Sequence, residues 1–265
     1  MPSLPEHGRI ECTLCHGGQP IDFDRTVTGT DSWRITANPL AWGNPKASVL
    51  VLGFSKGQTQ AGEVARGRHD DIAFKGSRTH AAKILAHVGL MKKADNKTMA
   101  RELDRMIADR AGAFHFGSLV RCAVERFDPM IGWTGTNGSI LDRFLASDFG
   151  AQVTGNCSTR FLSSLPKATR LVVMFGMGNR GSYVEQARKV IGHARGVEMR
   201  RVNEVAYEDD EIVVVHVEHF ASRGALIPEW LGEGDYKGAD RSRLGLLARQ
   251  AVDRALSRSR IPEAV

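Results

Sequence analysis

Four cysteines carry the first chemistry legible in this chain. Cys12 and Cys15 form a C-x-x-C near the start, while Cys122 and Cys157 stand alone far downstream. A local zinc ribbon would bring two close pairs. One pair with two distant singles reads instead as four thiolates gathered by a folded domain around one cluster, a [4Fe–4S] centre. Two disulfides are the other use of four cysteines, and they belong to exported chains. Residues Met1 to Gly8 hold no apolar core of a secretory signal, so a reduced, cytoplasmic setting and metal ligation are expected.

A second candidate lies where the apolar run Ala47 to Leu52 breaks into Gly53-Phe54-Ser55-Lys56-Gly57. In open parallel sheets ligands bind beyond the carboxyl ends of strands. Glycines there allow close backbone approach, and free N–H groups hold a base carbonyl or a phosphate. Taken alone, the segment is equally an ordinary strand-to-loop turn. It is not a Walker A loop, because the Gly-Lys-Ser/Thr ending is missing.

The elements that must position these groups follow from periodicity. Ala47–Gly53, Ala113–Val120, Leu171–Phe175 and Glu211–Val217 are short apolar runs rich in strand formers, and they predict strands buried on both faces. Arg78–Val88, Lys97–Asp109, Ser158–Leu165, Ser182–Ile191 and Arg241–Leu256 have the apolar spacing of helices. Strand alternating with helix predicts a three-layer α/β/α sandwich around a central, mostly parallel β-sheet. The 265 residues, 42% of them hydrophobic, are enough for one domain with a full core. Residues 1–46 predict an irregular segment tied down by Cys12 and Cys15, and 258–265 a frayed tail. A net charge of +6 is compatible with a polyanionic partner. No apolar stretch approaches the roughly 20 residues of a membrane span.

Taken in order, these pieces resemble the iron–sulfur branch of the uracil-DNA glycosylase superfamily. That branch has an N-terminal C-x-x-C and then a strand ending in a glycine motif, as Cys12/Cys15 and Val49–Gly57 do here. A Pro-Phe-x-Gly segment opening a helix follows, similar to Ala73-Phe74-Lys75-Gly76. A strand then runs to the third cysteine, matched by Phe116–Cys122. The fourth cysteine opens a helix before another strand, matched by Cys157–Leu162 and Leu171–Gly176. Last comes a His-Pro-Ser-like motif, where this chain has His219-Phe220-Ala221-Ser222. The order of the pieces is specific, although no single one is.

The resemblance implies a monofunctional glycosylase that flips uracil out of DNA and hydrolyses its N-glycosidic bond, acting as a monomer. Cys12, Cys15, Cys122 and Cys157 would hold the [4Fe–4S] cluster. His219 would donate a hydrogen bond to the departing base anion, and Phe74 would stack on the base. Gly53, Phe54 and Ser118 would line the base pocket. Lys56, Ser222, Arg223 and Leu226 would meet DNA, the last two on a wedging loop. By itself His219 is equally a capping residue at a strand end, and Phe74 equally a core aromatic.

Where the branch commonly places a water-activating acid or a uracil-reading amide, this chain differs. Phe54 stands for Glu, Ser55 for the Asp or Asn of other branches, Ser77 for an acid, and Ser118 for the amide. Ser55, or Asp70 or Asp71 from the neighbouring loop, is left to position water, with Asp71 preferred. Loss of the amide implies wider base specificity, including hypoxanthine and xanthine. The insert Ala123 to Asn156 is expected to be a turn-rich excursion.

Two other classes stay open. Gly176-Met177-Gly178-Asn179-Arg180-Gly181 is a G-x-G-x-x-G between an apolar run and a helical one, with Glu198 near the place of a ribose-binding acid. That pattern alone implies an iron–sulfur oxidoreductase binding a dinucleotide. A non-catalytic DNA-binding relative is the third class. The arginine-rich stretch Lys237–Arg260 reads as the solvated face of a packed helix.

Overall fold

A computed structural model of the chain describes residues 3–135, 138–178, 181–222, 224–233 and 239–258. Arg223, Asn179, Arg180, Thr136, Asn137 and the tail 259–265 lie outside the described residues. In chain order the N-terminal strands are β1 (Gly8–Arg9), β2 (Val27–Gly29), β3 (Trp33–Thr36), β4 (Leu40–Gly43) and β5 (Val49–Gly53). Helices α1 (Gln58–Glu63), α2 (His69–Ile72), α3 (Arg78–His87) and α4 (Asn96–Ala108) lead to β6 (Phe114–Ser118), β7 (Ala123–Asp128) and β8 (Gly132–Gly135). Then come α5 (Gly138–Ala146), α6 (Asp148–Leu162), β9 (Leu171–Phe175) and α7 (Ser182–Arg195). Strands β10 (Arg200–Asn203), β11 (Ala206–Glu208) and β12 (Val213–Val217) precede α8 (Leu226–Trp230) and α9 (Ala239–Arg258).

The main sheet runs β1-β4-β6-β5-β9-β12-β11-β10. Its centre, β6-β5-β9-β12, is parallel, and both edges are antiparallel. The four central strands are the four predicted from apolar runs. Leu171–Phe175 and Val213–Val217 are buried throughout, as expected of strands covered by helices on both faces. One helical layer contains α3, α4, α8 and α9, the other α5, α6 and α7, giving the expected three-layer sandwich.

The N-terminal segment is not irregular throughout. Residues 27–36 form the β2–β3 hairpin, and β4 joins the main sheet beside β6. The 123–156 insert is likewise more than a turn: β7 and β8 extend β2–β3 into a second, four-stranded antiparallel sheet. These strands have three to six residues each, too short for an alternating pattern to stand out. Helix α6 begins ten residues before the helix expected at Ser158. Cys157 therefore lies inside it rather than opening it. Ser147 caps α6, its hydroxyl accepting the Gly150 N–H at 3.1 Å. Among the described residues no helix is long and apolar enough to cross a membrane.

Two core histidines make the sheet acid-sensitive. Burial pushes the pKa of His115 down to about 3 and that of His216 to about 4. Each is neutral when folded but takes a proton when unfolded, so the unfolded chain binds more protons between pH 6.5 and 4. Stability is therefore full above about pH 6.5 and falls as pH drops through that window, by on the order of 3 kcal/mol per histidine. Denaturant melts at pH 7 and pH 4.5 should show this loss, and it should shrink in a His216→Gln variant.

Candidate functional site: a strand-end pocket and a thiol chamber

The parallel register brings the separate motifs to one edge. Gly53 pairs with Ser118, Leu52 with Met174 and Phe175 with Val217. The carboxyl ends of β5, β6, β9 and β12 thus lie side by side, and Gly53, Ser118, Gly176 and the turn after Val217 open from one layer. This is where an open parallel sheet binds ligands. A Cβ built on Gly53 would meet only the Ser55 carbonyl oxygen, at 4.0 Å, so the backbone is open to close approach there.

His219 is the best-defined group in this layer. Its Nδ1 accepts the Ala221 N–H at 3.2 Å, and the Ser222 N–H bonds the His219 carbonyl at 2.9 Å. With Nδ1 occupied as an acceptor, the ring proton sits on Nε2 and can be donated. Burial lowers its pKa below 6.5, opposed by the Glu218 carboxylate, so the neutral ring prevails at pH 7. Glu218 is buried and holds the turn: it accepts the His219 N–H at 2.9 Å and the Ser222 hydroxyl at 2.8 Å, and pairs with Arg241 of α9.

Phe74 sits beside this turn in a left-handed backbone conformation, φ 53°. That is strained for a bulky residue and persists only where the surroundings impose it. Arg78 does so by donating to the carbonyls of Asp70 and Ala73 while pairing with Asp104. The Phe74 ring meets Phe220 at 5.0 Å, Phe175 at 5.5 Å and Phe116 at 6.0 Å, all edge-on, and it is 6% exposed. His219 stacks on Phe220 at 4.4 Å. Phe220, half-buried, is thus the ring at this edge with surface to offer. The sequence reading missed it, although its place directly after His219 was the available signal.

Other expected site residues divide. Ser55 is half-buried after β5. Asp71 is exposed on α2 and lines a groove of about 540 Å³ with Lys75, Ser77 and His80. His80 Nδ1 lies 3.2 Å from the Phe220 carbonyl, which puts the groove beside the His219 turn. Leu226 is 37% exposed at the start of α8, as a wedge would be. Phe54, in contrast, turns inward: 5% exposed, it packs on Phe144 and Tyr183 and presents no ring to a base. The Ser222 hydroxyl is committed to Glu218 rather than to a phosphate. Lys56 is 3% exposed and donates to the Arg121 carbonyl, so it cannot meet DNA. A lysine between glycines reads as exposed, and only the tertiary packing encloses it.

The cysteines interact with one another in pairs. Cys15 and Cys157 share a hydrogen bond, Cys157 senses Cys122, and Cys122 senses both Cys12 and Cys15 electrostatically. Among the described residues the trio of His, Cys or carboxylate ligand atoms within 4.8 Å of one another is His7, His69 and Asp70. Among the described residues no three sulfurs lie that close together, although Cys15 and Cys157 are near enough to share a hydrogen bond. The bond from Cys157, helped by Asn156 at 3.5 Å, lowers the Cys15 pKa to about 7 against burial. Cys157 is raised by that same bond and by burial. Burial lifts Cys122 to about 11, opposed by Lys56 and the Asn38 N–H. His16 Nε2 lies 4.0 Å from Cys122.

Two cations are buried with these thiols. Burial lowers Lys56 to about 8 and Arg121 to about 10, and in both the cysteines act in the opposite direction. The sequence places Lys56 on DNA and singles out neither Arg121 nor Asn38, because nothing local marks a charge as buried.

The glycine triad does not build a dinucleotide fold. Gly176, Gly178 and Gly181 have φ of 107°, 75° and 78°, which explains glycine there as backbone geometry. The strand after α7 is β10, an antiparallel edge strand separated from β9 by β11 and β12. Glu198 precedes it on that antiparallel edge, and the acid that ends β12, the parallel neighbour of β9, is Glu218, already committed to the His219 N–H, the Ser222 hydroxyl and Arg241. No protein-family profile matches this chain, and no curated protein matches it.

Proposed function

We propose that the chain is a monofunctional DNA glycosylase that releases uracil, or a related deaminated base such as hypoxanthine or xanthine, from a flipped nucleotide. The observation that carries the reading is the His219 turn: a neutral imidazole with its proton fixed on Nε2, at the carboxyl ends of four parallel strands, stacked on Phe220 beside strained Phe74. N-glycosidic cleavage leaves negative charge on the base, and a preorganised donor in a largely dry pocket stabilises it. Phe220 offers the stacking surface, backed by Phe74. Gly53 allows close backbone approach, and Ser55 or Asp71 orients water. A dissociative reaction asks little of a general base.

Cys12, Cys15, Cys122 and Cys157 would hold a [4Fe–4S] cluster. Four cysteine thiols, with the orphaned nitrogens of buried Arg121 beside them, support an anionic multi-iron centre. Bound there, the cluster supplies cross-links between the N-terminal segment and α6. Asn156 and the Asn38 N–H orient the Cys15 and Cys122 sulfurs, and packing buries Cys122 and Cys157.

A non-catalytic DNA-binding relative remains the second reading, favoured by the inward turn of Phe54 where an acid would serve. Oligonucleotides carrying one uracil, hypoxanthine or xanthine, treated with alkali after incubation, separate the two. Strand breaks at the lesion support the glycosylase. Salt-sensitive binding without breaks leaves the binding protein.

A further inference from the structure

Among the described residues no carboxylate is bonded to either of the two buried cations. Arg121 is 1% exposed, and among the described residues none of its three guanidinium nitrogens has a hydrogen-bond partner. The group lies 5.1 Å from the Phe161 ring centroid and against Gly117, where a Cβ would come 1.6 Å from Nη1. Only glycine at that position in β6 leaves the guanidinium its place. The Lys56 ammonium rests on the Arg121 carbonyl. The groups of opposite charge that act on the pair are Asp24, on Lys56, and the sulfurs of Cys122 and Cys157. Asp24 is itself bonded to Asn38 at 2.8 Å.

Burying a cation without a counter-charge is strongly unfavourable. The guanidinium nitrogens are sealed from solvent, so a phosphate outside, including that of DNA, cannot be the partner. Sulfhydryls are uncharged and offer little. Four thiolates around an iron–sulfur core form a net dianion when oxidised and a trianion after one-electron reduction.

We infer that Lys56 and Arg121 are the built-in counter-charges of the metal centre, retaining it in the chamber and favouring its reduced form. This rests on the reading of the four cysteines as cluster ligands. Both are positioning residues; neither touches substrate. Fixed positive charge lowers the free energy of the more negative state, so removing it drives the reduction potential down and loosens the cluster.

The test uses anaerobically purified wild type, Lys56→Met, Lys56→Arg, Arg121→Met, Arg121→Lys and Gly117→Ala. Iron and sulfide content, the midpoint potential in a dithionite titration followed by electron paramagnetic resonance, and the rate of bleaching by a chelator are read. Each methionine variant should shift the midpoint more negative by about 59 mV or more, a tenfold change for a one-electron couple, and bleach roughly tenfold faster. The Lys56→Arg and Arg121→Lys variants should stay near wild type. Gly117→Ala keeps the charge but displaces the guanidinium, and should fall between wild type and Arg121→Met. If Arg121→Met folds without iron while Arg121→Lys holds it, the charge is again what the centre requires. Methionine variants that hold iron at an unchanged midpoint overturn the inference and leave a packing role. A wild type free of iron and sulfide overturns the cysteine reading itself, a separate result.

Discussion

Base release from a uracil-containing oligonucleotide falls by about two to three orders of magnitude in His219→Ala, the usual cost of removing one preorganised donor to a developing anion. Substrate binding changes far less, because the donor acts on charge present only as the bond breaks. The size of the effect depends on the turn that holds the ring. The Ala221 N–H fixes Nδ1 as acceptor and Glu218 anchors the backbone on either side, so Nε2–H is aimed before substrate arrives. The pH profile follows from the same contacts. A second proton at Nδ1 must displace the Ala221 N–H and open the turn. Burial has placed that protonation below 6.5, so the rate holds at neutral pH and declines as pH falls through the lowered pKa. Single-turnover kinetics across pH 5–8 check both statements. Undiminished release by a folded His219→Ala protein would remove the central claim of the proposed function.

Loss of the proposed cluster is expected to cost nearly as much in stability as loss of His219 costs in rate. A ligand held at a thousand times its dissociation constant contributes about 4 kcal/mol. For a chain of this size that corresponds to a fall in Tm of about 8–16 °C on chelation or in Cys157→Ser. The effect should concentrate at residues 10–24. Bonds from that stretch to the rest of the described chain include Ile10 N–H to Pro39 at 3.0 Å, Arg160 to the Glu11 carbonyl at 3.1 Å, His16 to Thr28 at 2.8 Å and Asn156 to Cys15 at 3.5 Å, with Asp24 tied at the far end by its N–H to Ala37 and by Asn38, both at 2.8 Å. Leu14 is half exposed beside them. Freed from α6, the segment should be cut early by trypsin at Arg9 and Arg25 while the sheet stays intact. An unchanged melting temperature and digestion pattern after chelation would show that the cysteines hold nothing of structural weight.

The four parallel strands and five long helices were legible because each is a single run of one period. Leu171–Phe175 could be little else than a strand covered on both faces. Strands of two to four residues, such as β1, β2 and β8, carry no period, and their pairing is decided by partners far along the chain. Helix α6 was read ten residues short because its first turns alternate small and polar residues around Gly150 and Gly155. Its start is fixed instead by the Ser147 cap.

By itself the sequence determined the order of chemistry along the chain: a cysteine pair, a glycine turn, Phe74, a third and a fourth cysteine, and His219. Residue type and spacing are local, and the amino acids state them directly. The tertiary structure alone decided which of these residues reach the strand-end edge. Parallel register aligned Gly53, Ser118, Gly176 and the His219 turn at one edge. Packing turned Phe54 into the core, enclosed Phe74 behind Phe220 and buried Lys56 and Arg121 against the thiols. Burial depends on what the rest of the chain places around a side chain. The same lysine would be a phosphate contact on a surface and is a buried cation here.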